Sequence, residues 1–192
     1  MIQRCDWAHN EILSQYHDQE WGVPLHDDQK LFEFLILDGM QSGLSWSIIL
    51  QKRKAFSHAF KNFDAASISK FTYLDINKLL LNKGIIRNKK KILSAINNSK
   101  CFIEIKNEFG TFDSYIWSFV NHKTITNHYR KWSEIPSSSK ESFEMSNDMK
   151  KRGFSFVGPT ICYAFMQTVG MVNDHTLSCF RHKELNKKNP ES

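Results

Sequence analysis

The chain is poor in cysteine and proline, with 4 of each among 192 residues. Cys5, Cys101, Cys162 and Cys179 are too few and too scattered for the disulfide framework of a secreted scaffold, so a reducing compartment is expected. Long apolar runs are missing too: nothing approaches the roughly 20 residues a membrane-spanning helix needs. The start, Met1-Ile2-Gln3-Arg4-Cys5-Asp6, has no apolar stretch of the secretory type. A cytoplasmic location and no membrane partner are the expectation. Strand-like alternation is scarce, there is no internal repeat, and the nearest thing to low complexity is Ser137, Ser138 and Ser139.

What is present is a core. Hydrophobic residues make up 41% of the chain and include 15 phenylalanines and 5 tryptophans, which excludes disorder. The length suits one all-α unit over residues 1–182, built as two intimately packed helical lobes, followed by a polar tail at 183–192 that is expected to fray. Formal charge is +6 and the pI about 9.1, which favours a polyanionic partner.

Apolar residues recur at helical spacing: Leu31, Phe34 and Leu35; Ile49, Phe56 and Phe60; Leu79 and Leu80; Ile92, Ala95 and Ile96. Start signals accompany them. Asp27 or Asp28 can cap one helix and Asp64 another, Thr72 with Asp75 resembles a capping box, and Gly84 ends that segment. Ser139 or Ser142 opens a helix that runs to Arg152, and Thr160 opens one that lasts to about Gly170.

Three constellations carry chemistry. Cys5, His17, His175 and Cys179 offer two thiolates and two imidazoles, a full tetrahedral set for zinc, with His175 and Cys179 on one face of a helical turn. Half-buried cysteines beside ordinary histidines would fit the same spacing. The segment Gly153-Phe154-Ser155-Phe156-Val157-Gly158 joins two helices as a glycine-bounded hairpin next to Lys150, Lys151 and Arg152. The free N–H groups at its second helix favour a phosphate, although a plain helical hairpin with a solvated basic end would look alike. The run Arg87, Lys89, Lys90 and Lys91 is read as a solvated face. Finally, Asp38-Gly39-Met40-Gln41-Ser42-Gly43-Leu44-Ser45-Trp46 can bend so as to project Gln41 and Leu44 beside a carboxylate and a tryptophan, the parts needed to hold a purine outside the DNA stack.

Taken together these motifs resemble the bacterial DNA-3-methyladenine glycosylase I family of the helix-hairpin-helix superfamily. The likeness spans residues 4–179 and includes Tyr16-His17-Asp18, Glu20-Trp21-Gly22-Val23-Pro24, Gly43-Leu44-Ser45-Trp46, Trp117-Ser118-Phe119-Val120-Asn121-His122 and Val172-Asn173-Asp174-His175. It implies a monofunctional hydrolase that removes 3-methyladenine from alkylated double-stranded DNA as the first step of base-excision repair. It also implies one structural zinc per chain on Cys5, His17, His175 and Cys179, standing away from the base pocket, and no soluble cofactor. Tyr16 and Trp46 would line the pocket with Trp21 beside it, and Asp38 would be the catalytic carboxylate reading the purine edge. Gln41 and Leu44 would fill the gap in the duplex, while Gly43, Lys151, Arg152, Gly153, Gly158 and Thr160 would complete the DNA-binding surface. Asp38 departs from the glutamate that the family usually carries. A non-catalytic zinc-stabilised DNA-binding protein of the same fold is the alternative. Free 3-methyladenine is the expected product, and the chain is expected to act as a monomer.

Overall fold

Nearly every residue of the segment from Leu31 to Met40 is apolar, and such a helix has no face to give to water. In the computed structural model, which describes residues 2–188, that segment is the centre of the molecule: Leu31 through Met40 are all buried. The helices follow as α1 (Glu11–Gln19), α2 (Asp28–Gln41), α3 (Trp46–Ala59), α4 (Ala65–Ile68) and α5 (Tyr73–Leu81), then α6 (Lys89–Phe109), α7 (Phe112–Trp117), α8 (Lys140–Lys151), α9 (Pro159–Thr168) and α10 (Phe180–Lys188). Helices α3, α6, α7 and α9 pack around α2. The all-α expectation holds, with one addition. Ile125–Thr126 (β1) and Val172–Asn173 (β2) form a two-residue parallel pair, Ile125 opposite Val172, that ties the long segment after α7 to the chain entering α10.

The helix ends follow local chemistry. Asp27 caps α2 through Lys30 N–H, Asp64 caps α4 through Ser67 N–H, and Thr72 with Asp75 forms the reciprocal box of α5. Ser139 caps α8 in the same reciprocal way with Ser142. Helix α5 stops at Leu81, three residues before Gly84. Two expectations need correction. His175 and Cys179 lie in a turn closed by Cys179 N–H to Thr176 C=O at 2.8 Å, and α10 begins only at Phe180. The stretch expected to fray from 183 is helical to Lys188, because Leu185 is buried at 3% exposure and the Asn186 amide accepts from Asn173 at 3.0 Å. Only 189–192 of that expected tail lie outside the described residues. No helix among the described residues is long and apolar enough to cross a membrane.

Candidate active site and metal centre

Helix α2 carries two buried carboxylates, and the fold treats them oppositely. Glu33 is neutralised by Arg53 at 2.7 Å and Lys30 at 2.9 Å. Asp38, 3% exposed, has no cation and no hydrogen-bond partner for Oδ2. Burial alone drives its carboxyl well above the usual range, favouring the neutral acid. An unpartnered carboxylate in a packed core is destabilising unless something from outside completes it.

Asp38 borders a cavity of about 480 Å³ shared with Tyr16, Trp21, Trp46, Trp7 and Trp132. Tyr16 and Trp46 face each other at 5.4 Å between ring centroids, tilted by 54°. The Tyr16 hydroxyl donates to Thr168 Oγ1 at 3.1 Å, which fixes the ring, and burial above all holds the phenol in its neutral form. Trp7 packs edge-on to Trp21 at 5.1 Å, and Trp132 closes over both at 6.1 and 6.2 Å. The indole N–H groups of Trp7 and Trp46 are buried without acceptors, like the Asp38 oxygen. The cavity therefore presents flat apolar walls and a few unpaired polar atoms, a design for a planar heteroaromatic guest.

At the cavity edge the chain turns. Leu44 N–H donates to Gln41 C=O at 2.6 Å and the Gln41 amide donates to Leu44 C=O at 2.7 Å, closing a small loop. Gly43 at its tip has φ +78°, a region that glycine enters without strain, and it is exposed. Lys91 lies beneath: the residue is 6% exposed and its ammonium donates to Met40 C=O at 2.8 Å and Ser42 C=O at 2.6 Å. Lys91 therefore does not belong to the solvated basic face expected for its run.

The hairpin between α8 and α9 is built as the glycines suggest. Gly153 has φ +89°, and Phe156 takes φ +57°, a conformation costly for an aromatic residue. Asn98 of α6 pins the bend by accepting from Ser155 N–H at 2.9 Å and donating to Ser155 C=O at 2.9 Å. Helix α9 starts at Pro159 after Gly158 with no side-chain cap, so the N–H groups of its first turn are left for an external acceptor. Thr160, Lys150 and Lys151 are exposed around it. Arg152 is different. Its guanidinium donates to Asp148 at 2.7 Å and to both oxygens of Glu108 at 2.7 and 3.1 Å, and sits 4.9 Å from the Phe109 ring centroid. The geometry gives Arg152 the work of joining α8 to α6, and leaves Lys150 and Lys151 as the exposed charges beside the hairpin.

Cys5, His17, His175 and Cys179 come together from both ends of the described chain, all buried, with ligand atoms within 4.8 Å of one another. The two inward nitrogens, His17 Nε2 and His175 Nδ1, are 3.2 Å apart, and Cys179 Sγ lies 3.3 and 3.4 Å from them. Cys5 Sγ is 3.7 Å from His175 Nδ1. Zn–S bonds of about 2.3 Å and Zn–N bonds of about 2.0–2.1 Å place tetrahedral ligand atoms roughly 3.3–3.8 Å apart, so the donors fit such an ion. The hydrogens fit as well. His175 Nε2–H donates to Trp21 C=O at 3.0 Å and His17 Nδ1–H to Asp18 at 2.8 Å, which turns both imidazole lone pairs inward. Asp18 is held in turn by Arg4 at 2.7 Å. The hydrogen bond from Cys5 is the first cause lowering the Cys179 thiol, and burial lowers His175, so a thiolate and neutral imidazole are the favoured forms. The cluster can hold a metal.

Contrary to the expectation of a remote ion, this centre abuts the cavity. Trp21 lines the cavity and meets His175 edge-on at 4.6 Å, and Trp7 meets His17 at 5.3 Å. Asn173 and Asp174 turn inward instead: Asn173 bonds Asn186 at 3.0 Å, and Asp174 accepts from Tyr163, Gln167 and Asn127 at 2.7–2.8 Å.

The sequence reading missed Trp7, Trp132, Thr168 and Lys91. Trp132 was detectable as the one tryptophan in the largely polar stretch 121–139, and Lys91 by its phase, since Lys91, Ser94 and Asn98 fall on the buried stripe of α6. Trp7 and Thr168 carry no local signal; only tertiary contacts, Trp7 with Trp21 at 5.1 Å and Thr168 with Tyr16 at 3.1 Å, bring them to the cavity.

The family model for methyladenine glycosylase matches residues 7–182. The chain is 43% identical to the DNA-3-methyladenine glycosylase of Haemophilus influenzae over 93% of its length and 97% of the relative's. It is 42% identical to DNA-3-methyladenine glycosylase 1 of Escherichia coli K12, over 93% and 96% of the two chains. Its structure resembles a crystal structure of a 3-methyladenine DNA glycosylase I in complex with 3-methyladenine, with a TM-score of 0.90 and 28% identity over 98% of each chain. With the buried carboxylate, the aromatic cavity and the glycine hairpin in place on the same helices, the chain belongs to the methyladenine glycosylase family.

Proposed function

We infer that this protein is a DNA glycosylase that hydrolyses the N-glycosidic bond of 3-methyladenine in alkylated double-stranded DNA, the first step of base-excision repair. The observation that carries the reading is Asp38, a buried carboxylate with a free oxygen in an aromatic cavity of about 480 Å³.

N3-methylation makes adenine formally cationic, so the C1′–N9 bond breaks with its electron pair leaving on a neutral base. Water then adds to the sugar and gives up a proton. Little push is required, and selectivity rests on the pocket. The flipped purine packs against Tyr16 and Trp46, which meet at 5.4 Å along one wall, with Trp21 beside it, and Asp38 accepts from its exocyclic amine. A cation beside Asp38 supplies the partner that the fold withholds, and this favours the ionised carboxylate once the base is bound. Gln41 and Leu44 fill the vacated stack, and Gly43 between them lets the turn approach the DNA closely. The first turn of α9, with Gly153, Gly158, Thr160 and Lys151, holds the phosphates; Arg152 supports them by fixing the end of α8. Thr160 offers no amine for a Schiff base, in keeping with a monofunctional hydrolase.

Zinc is the metal that the two-thiolate, two-imidazole set suits best. It would hold the ends of the chain together and buttress Trp21; with four protein ligands it has no open position for catalysis. Residues 1–182 work as one unit of two lobes, and the protein acts as a monomer in the cytoplasm on nucleoid DNA. The test is product analysis: the purified protein should release free 3-methyladenine from alkylated duplex DNA, and DNA binding without base release would refute the reading.

A further inference from the structure

Of the basic run Arg87, Lys89, Lys90 and Lys91, only Lys91 is buried. Burying an ammonium is costly unless it is bonded. Here the side chain bonds to backbone carbonyls, Met40 C=O at 2.8 Å and Ser42 C=O at 2.6 Å, and among the described residues no carboxylate pairs with it. Both lie at the C-terminal end of α2, where unpaired carbonyls and the helix dipole favour a cation. They also flank Gln41, the first residue of the turn that projects Leu44. The tip of that turn is closed on itself by the two Gln41–Leu44 hydrogen bonds, and Gly43 at its apex is exposed, with open space where a side chain would project. Its base is fastened to α6 through one ammonium.

We propose that Lys91 is a positioning residue for base excision: by gripping Met40 and Ser42 it preforms the Gln41–Leu44 turn that enters the duplex. The inference rests on the reading of Gln41 and Leu44 as the residues that fill the gap. A loop ordered before DNA arrives loses less freedom on binding, so its shape is felt in DNA affinity and excision but not in the pocket's hold on a free base. The same ammonium leaves Asp38 untouched, since burial is the only cause acting on that carboxyl.

The experiment compares wild type, Lys91→Met, Lys91→Arg and Leu44→Ala. Three readouts are taken: affinity for a duplex containing a tetrahydrofuran abasic analogue, affinity for free 3-methyladenine, and single-turnover excision from alkylated duplex. Lys91→Met should weaken duplex binding and slow excision by about tenfold or more while free-base affinity stays within about twofold, and Lys91→Arg, which keeps donors for both carbonyls, should restore most of the loss. Leu44→Ala separates the two ideas. If it impairs duplex binding and Lys91→Met does not, the positioning role is overturned and the wedge reading stands. If Leu44→Ala leaves duplex binding unchanged, the wedge reading falls and the inference with it. A Lys91→Met protein that fails to fold, or that loses free-base and duplex affinity equally, makes Lys91 an ordinary core residue and overturns the proposal.

Discussion

Replacing Asp38 with asparagine should make the protein more stable, and more so as pH rises. In the folded state the side chain is 3% exposed and Oδ2 has no partner, so the carboxyl keeps its proton to a higher pH than in the unfolded chain. The unfolded reference loses its proton near pH 3.9. Because the folded value is raised, the contribution is fully favourable below that pH and is lost as pH climbs toward the folded value, with a slope of up to about 1.36 kcal/mol per pH unit. The amide of the variant leaves the same unpaired site but carries no charge, so the difference at pH 8 is the cost of the charge, on the order of 1–3 kcal/mol. For a chain of this size each kcal/mol moves Tm by about 2–4 °C, so Asp38→Asn should melt roughly 2–12 °C above wild type at pH 8. Near pH 4 the two proteins should nearly coincide. Thermal unfolding followed by circular dichroism from pH 4 to 8 reads this directly. A gap that does not widen with pH, or a wild type more stable than the variant at pH 8, would refute the claim that Asp38 sits unpartnered in the core.

Purified protein should contain about one zinc ion per chain by elemental analysis. With free zinc at about 1,000 times Kd the ion contributes about 4 kcal/mol, so Cys179→Ser should lower Tm by roughly 8–16 °C. Because Trp21 and Trp7 touch the metal histidines, the same variant should shift tryptophan fluorescence and weaken 3-methyladenine binding, which an ion remote from the pocket would not do. Duplex binding should weaken with salt, and Lys151→Ala should reduce the slope of log K against log salt by about 0.9. Arg152→Ala should leave that slope nearly unchanged and lower Tm instead, since its charge is spent on Asp148 and Glu108; an equal loss of slope would return Arg152 to the DNA surface.

Much of this was legible in the residues because its causes are local. Helical spacing gave the principal helices; Asp27, Asp64, Thr72 with Asp75, and Ser139 fixed their starts through short-range hydrogen bonds. Cys5, His17, His175 and Cys179 stood out as a candidate tetrahedral set, but their spacing fitted buried cysteines beside ordinary histidines equally well, and the family resemblance singled them out. What was not legible depends on tertiary packing. Arg152 looked like a phosphate ligand because Glu108, 44 positions away, is invisible as its partner until α6 meets α8. Lys91 looked solvated because its neighbours are. The contrast between Glu33 and Asp38 appears only when Arg53 folds over one and nothing reaches the other.

The most direct test of the central claim is single-turnover release of 3-methyladenine by wild type and Asp38→Asn under identical conditions, with DNA affinity measured in parallel. A hydrogen bond to a charged acceptor is worth about 1.5–3 kcal/mol, so the variant should bind DNA as wild type does and excise roughly 10- to 150-fold more slowly. Equal excision by the two proteins would contradict the account, removing Asp38 from the chemistry and leaving the aromatic walls of Tyr16 and Trp46 to carry recognition alone.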